Sequence, residues 1–180
     1  VSTAKIANSA VDLTSKVTGV LPVANGGTGV STAMADQWRL TANTTAGANG
    51  DITANLERVD TAGQGFIGTG MTESSGIFSF PSTGIYMVMA NATLTLNADN
   101  SGAVDTYVTI DNSSYTLLAQ AIDGDRSTTN TIGSGSSVVF VNVTNTSNVK
   151  VKFATGSMAS SSQALGSSTY NNTYFTFLKL

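Results

Sequence analysis

From Tyr86 the chain alternates with a period of two: Tyr86, Val88, Ala90, Ala92, Leu94 and Leu96 fall on one side, Met87, Met89, Asn91, Thr93 and Thr95 on the other. That period belongs to a strand, whose successive side chains leave opposite faces of the backbone. One side is apolar throughout. The other passes from thioethers to amides and hydroxyls, as expected where a strand runs out of the middle of a sheet. Shorter alternating runs recur from Trp38 onward, separated by Asn49-Gly50, Asn100-Ser101-Gly102, Asp111-Asn112-Ser113-Ser114, Asp123-Gly124-Asp125 and Asn145-Thr146-Ser147-Asn148, all residue types that turn the backbone. They predict strands over 37–41, 52–59, 67–71, 76–80, 84–96, 105–111, 115–122, 138–145, 149–155 and 170–180. No helical period competes with them. The expectation is an all-β sandwich or jelly roll of about ten strands. The aromatic last strand, Tyr174-Phe175-Thr176-Phe177-Leu178, is expected at its centre, where its bulk buries most.

Residues 1–35 have a different pattern. They hold no aromatic residue, and Ile6, Ala10, Leu13, Val17 and Val20 are spaced by fours and threes. This is a short heptad seam, too brief to form a stable helix alone. Either a helical or an extended intertwined stalk needs partner chains to cover it, with Ile6, Leu13, Val17 and Val20 facing them. Pro22 ends the seam, and Gly26, Gly27 and Gly29 follow, which reads as a neck or as a flexible linker. The domains are therefore a stalk and neck over 1–35 and a globular tip over 36–180. The start at Val1 fits a fragment of something longer.

Two resemblances attach to these patterns. Ser15-Lys16-Val17-Thr18-Gly19-Val20-Leu21-Pro22-Val23-Ala24-Asn25-Gly26-Gly27-Thr28-Gly29 is similar to a repeat of bacteriophage tail-fibre shafts. The spelling Phe78-Ser79-Phe80-Pro81-Ser82-Thr83-Gly84-Ile85-Tyr86, with the placement of the later strands, resembles the C1q/TNF-like jelly roll. That resemblance implies a compact homotrimer of ten-stranded domains, first and last strands side by side near the threefold axis, capping a fibrous stalk. Ile132-Gly133-Ser134-Gly135-Ser136-Ser137-Val138 departs from it by lacking an acid before the valine. Together the resemblances imply a trimeric receptor-binding tip of a phage tail fibre, extracellular in the virion tail. Its partners would be other tail proteins upstream and a host surface glycan or outer-membrane protein.

Composition narrows the chemistry. Charged residues make up 11% of the chain and hydrophobic ones 41%, a surface suited to assembly. Net charge is -3 with eight scattered Lys and Arg, which cannot track a phosphate backbone. No apolar run is long enough to insert in a membrane as a helix. The chain has no Cys and no His, which removes disulfides, thiolate and imidazole metal sites and His-activated nucleophiles. Carboxylate-run glycoside cleavage remains, but only Glu57 and Asp105 fall within expected strands and nothing pairs them. The chain is therefore read as a non-enzyme, with a structural cap or adaptor and a carbohydrate-degrading tip as alternatives. Asp123 and Asp125 could hold calcium with Asp99 or Asp111, or form a turn countered by Arg126; no other cofactor is implied. Trp38 could stack on a sugar or plug the barrel base or neck, and Met87 and Met89 read as core or subunit interface. The receptor-contact candidates are Asn100, Asn112, Tyr115, Asp123, Asp125, Arg126, Gln163 and Tyr170, in or beside loops. The long run 157–168 supplies hydroxyl and amide donors suited to polar recognition.

Overall fold

The computed structural model describes residues 34–97, 101–124, 131–159 and 161–180. The stalk residues Ile6, Leu13, Val17 and Val20 lie outside them, as do Asp99, Asn100, Asp125 and Arg126. Twelve strands are described: β1 (Met34–Leu40), β2 (Gly50–Asp51), β3 (Leu56–Arg58), β4 (Thr72–Ser74), β5 (Ile77–Ser79), β6 (Gly84–Leu96), β7 (Gly102–Thr109), β8 (Tyr115–Asp123), β9 (Thr131–Val143), β10 (Lys150–Gly156), β11 (Gln163–Ala164) and β12 (Tyr174–Lys179). They form two antiparallel sheets. In one, β3, β1, β12, β6 and β9 follow one another across the sheet, with β11 beside the far half of β6; in the other the order is β4, β5, β10, β7, β8, with β2 on β10. The first and last long strands pair directly, from Met34 opposite Lys179 to Arg39 opposite Tyr174. The closing strand is central, flanked by β6 and β1.

The alternation of β6 explains the core. Its even positions, Tyr86 to Leu96, are all buried, and the larger aliphatic ones, Val88, Leu94 and Leu96, each contribute about 1.5–3 kcal/mol when they leave water. They meet an aromatic cluster that joins the sheets: Phe153 of β10 stacks on Phe175 of β12 at 3.7 Å between centroids. Phe78 touches Trp38, Phe153, Phe175 and Phe177. The turn before β6 is fixed by its own residues. Phe80 packs 4.7 Å from the Tyr86 ring, and the Tyr86 hydroxyl donates to Ser82 O at 3.0 Å. Gly84 has φ 141°, a conformation that a side chain resists.

Several elements differ from the sequence expectation. The run 52–59 is not one strand: β2 and β3 bracket a turn in which Asn55 has φ 59°. The run 67–71 contributes only a bridge from Ile67 to Ala35. The long segment 157–168 is partly structured, since β11 pairs with Thr95 and Leu94 and both Met158 and Ser162 are buried. Met34 and Ala35 already belong to β1. Trp38 braces the β3 flank, edge-on to Phe78, with its Nε1 donating to Asp36 and Arg58 over its ring. Its place is structural, though β1 carries it into the body of the sandwich and not to the base; the neck lies outside the described residues.

Candidate functional site

Strand polarity sorts the loops into two ends. Met34, Lys179, Gly84 and Val143 lie at one end by register, together with the β7–β8 turn at 110–114 and the β9–β10 turn at 144–149. The opposite end gathers the segments that leave β1, β6, β8 and β10.

The outward side of the β9–β6–β12–β1 sheet shows a gradient between these ends. Phe140, Met87, Leu178 and Ala35 make one cross-strand row; Val138, Met89, Thr176 and Gln37 make the next. Ile85 and the exposed Leu180 extend the apolar zone toward the end of Met34 and Lys179. Phe140 is 65% exposed. Farther along, Asn91, Thr93, Ser134, Ser136, Asn171, Asn172 and Tyr174 line a polar hollow of about 320 Å³. Thus Met87 and Met89 leave the core and take the outward face. On the adjoining flank β8 packs against β9, and Leu118, Ile122 and Ile132 are exposed there. An apolar face beside an apolar edge strand is a surface that single domains ordinarily cover.

The opposite end carries a cleft of about 210 Å³ at the mouth of the sandwich, lined among others by Asn43, Thr45, Asp51, Thr53, Asn55 and Thr155. Its walls are fixed. Thr41 N donates to Asn55 O, and Thr155 Oγ1 donates to Ala48 O and Gly50 O. Asn49 and Met158 exchange two hydrogen bonds, each 2.7 Å. Thr44 and Ala164 do likewise, through Thr44 N to Ala164 O and Ala164 N to Thr44 Oγ1. Gly166 N donates to Asn43 Oδ1. Asp51 is the one ionisable group in the lining, and Lys152 Nζ answers it at 2.8 Å. The same ammonium sits 4.4 Å from the Tyr115 ring. Burial raises the Tyr115 pKa above 10.0, with Lys152 pulling the other way.

The sequence-derived contacts do not form one site. Asn112, with φ 58° and its N–H on Asn148 O, and Tyr115, at the start of β8, lie at the end of Met34 and Lys179. Asp123, Gln163 and Tyr170 lie at the other end. Asp111 and Asp123 cap opposite ends of β8, nine residues long, so roughly 30 Å of strand separates them and they cannot share a cation. No three acidic side chains come together among the described residues. Glu57 and Asp60 do converge, but on Arg39 Nη2, 2.6 Å from each. The cleft residues Thr53 and Asn55 escaped the sequence reading because they fell inside an expected strand. The run Asn43-Thr44-Thr45-Ala46-Gly47-Ala48-Asn49-Gly50-Asp51 was the available signal, hydroxyls and amides in a stretch broken by two glycines.

No family model matches the chain, and no curated protein matches it. Solved structures do. Murine APRIL at pH 5.0 superposes with a TM-score of 0.60 at 14% identity, over 82% of this chain and 99% of that one. Eiger TNF from S. frugiperda gives 0.58 at 14% identity, over 83% and 93%. The fold is a C1q/TNF-like jelly roll. Identity this low carries the fold alone. The pairing of β1 with β12 agrees with the side-by-side first and last strands that the sequence resemblance implied.

Proposed function

We propose that this chain is the end domain of a bacteriophage tail fibre, a homotrimer that attaches a virion to a host surface glycan or outer-membrane protein. The observation that carries the reading is the apolar zone of Phe140, Met87, Leu178, Val138, Met89, Ile85 and Leu180 on an otherwise polar sheet face. A face and a neighbouring flank that are both apolar suit a face-to-flank contact between copies, and such a heterologous contact closes into a ring when the rotation permits. The shaft-like repeat over 15–29 supports a fibre upstream. A ring presents three copies of the end opposite Met34 and Leu180, so weak contacts add through effective concentration. The role is binding: Asp36, Asp51, Glu57 and Asp60 are each engaged by Arg58, Lys152 or Arg39.

Sedimentation of the full chain tests the assembly. The expected mass is three times the 18.4 kDa chain, and a stable single chain at micromolar concentration overturns it. Fluorescently labelled protein applied to a panel of bacterial species tests attachment. Saturable labelling of some of them is expected; a trimer that labels none is a cap or adaptor.

A further inference from the structure

The polar side chains of the far-end cleft divide into two groups. Asn43 Oδ1, Thr44, Asn49 and Thr155 are consumed in bonds that hold the walls. Thr45, Thr53 and Asn55 line the same space without a side-chain partner among the described residues, and Asp51 uses only Oδ2. We infer that this cleft is a subsite for one neutral, hydroxyl-rich ring, a pyranose unit of a glycan. The inference rests on the attachment reading above and narrows its ligand.

Three observations select that class. The free groups, hydroxyls and an amide plus one carboxylate oxygen, offer donors and acceptors in mixed order, which matches vicinal hydroxyls that each donate and accept. The charge within the cleft is balanced, because Lys152 answers Asp51; an acidic sugar would set a second carboxylate beside Asp51 with no cation left to take it. The space, about 210 Å³, lies below the roughly 300–1,000 Å³ of sites for drug-sized ligands, so it admits one small ring and excludes a folded peptide element. Because the walls are already bonded, binding need not order the loop. No aromatic ring lines the cleft among the described residues, so recognition runs through hydrogen bonds without ring stacking and each copy binds weakly. Threefold presentation then supplies the avidity.

The test is amide chemical-shift titration of the 15N-labelled full chain with methyl glucoside, methyl galactoside, N-acetylglucosamine and glucuronate. The expected result is a saturable, millimolar response to at least one neutral sugar, centred on residues 43–55 and 155, with glucuronate inert. Asn55→Gly keeps the backbone conformation that a side chain resists, and Thr53→Val keeps the shape. Each should weaken the response about two- to tenfold, the worth of a hydrogen bond, with amides outside the cleft unmoved. Absence of any saturable response to the neutral sugars overturns the inference, as does an unchanged affinity in both variants. If labelled protein still binds cells in that case, attachment stands and only the subsite falls. If a neutral sugar fills the cleft while no cell is labelled, the subsite stands and the attachment reading falls.

Discussion

Asp36 has no water of its own. Its side chain is fully covered, and it accepts from Gln37 N, Trp38 Nε1, Met71 N and, through two bonds of 2.9 and 3.1 Å, from Arg58. A buried charge stripped of its partner is what makes single substitutions costly. Arg58→Met removes the guanidinium that stands over Trp38 and leaves Asp36 with neutral donors only, so we expect a loss of about 3 kcal/mol, the lower end for a broken buried pair. Urea denaturation should show it as a lower midpoint at unchanged slope. Asp111 is the opposite case, fully in water yet highly connected. The Thr109 hydroxyl first, then the amides of Ser114 and Ser113, hold its pKa below 3.8. A depressed carboxylate stabilises the fold at pH above its ordinary value, and that contribution is lost as pH falls through the lowered one. The Ser113 and Ser114 amide resonances should therefore keep their positions down to pH 4 and move only in more acidic solution. In Asp111→Asn they should already be displaced at neutral pH.

At the level of elements, what was legible followed from period and bulk. The run from Gly84 to Leu96 could be read end to end because six buried side chains repeat every second residue. The closing strand could be placed centrally because Phe175 and Phe177 have nowhere else to go. The far-end loops were opaque for a physical reason: their order comes from backbone and side-chain groups of 43–49 meeting backbone groups of Met158, Ser162, Ala164 and Gly166, and such pairing leaves no periodicity in the letters. Deleting the segment 157–168 would take Met158 and Ser162 out of the interior and strip β11 from β6. Point substitutions in the cleft are the cleaner probe. The β8–β9 crossing was equally hidden. A Cβ on Gly135 would come within 2.5 Å of Ile122 O and 2.6 Å of Ile122 N, backbone atoms that cannot swing aside. Gly135→Ala should destabilise by about 1–3 kcal/mol, the cost of forced overpacking. At Gly65, where a Cβ meets nothing within 4 Å, alanine should stay within about 0.5 kcal/mol. Thermal melts of the two variants side by side check the contrast.

For the whole molecule, the polarity gradient on the β9–β6–β12–β1 sheet is what an assembly would use. The apolar half lies at the end of Met34 and Leu180 and the polar half toward the cleft, so copies joined at the first would leave the second nearer the exposed end. Phe140 isolates this term, because it stands 65% exposed and contributes little to its own fold. Covering such a side chain is worth about 1.5–3 kcal/mol, and a threefold ring covers it three times. Phe140→Ser should therefore cost the trimer about 5–9 kcal/mol, three times that value, while urea unfolding of the separated chain stays within about 0.5 kcal/mol of the parent. At about 1.4 kcal/mol per tenfold change, that penalty lowers the association constant by three orders of magnitude or more. Sedimentation of a dilution series should then show three chains giving way to one in the variant at concentrations where the parent remains whole. A variant that holds together as well as the parent would move the subunit contact away from the β9–β6–β12–β1 face.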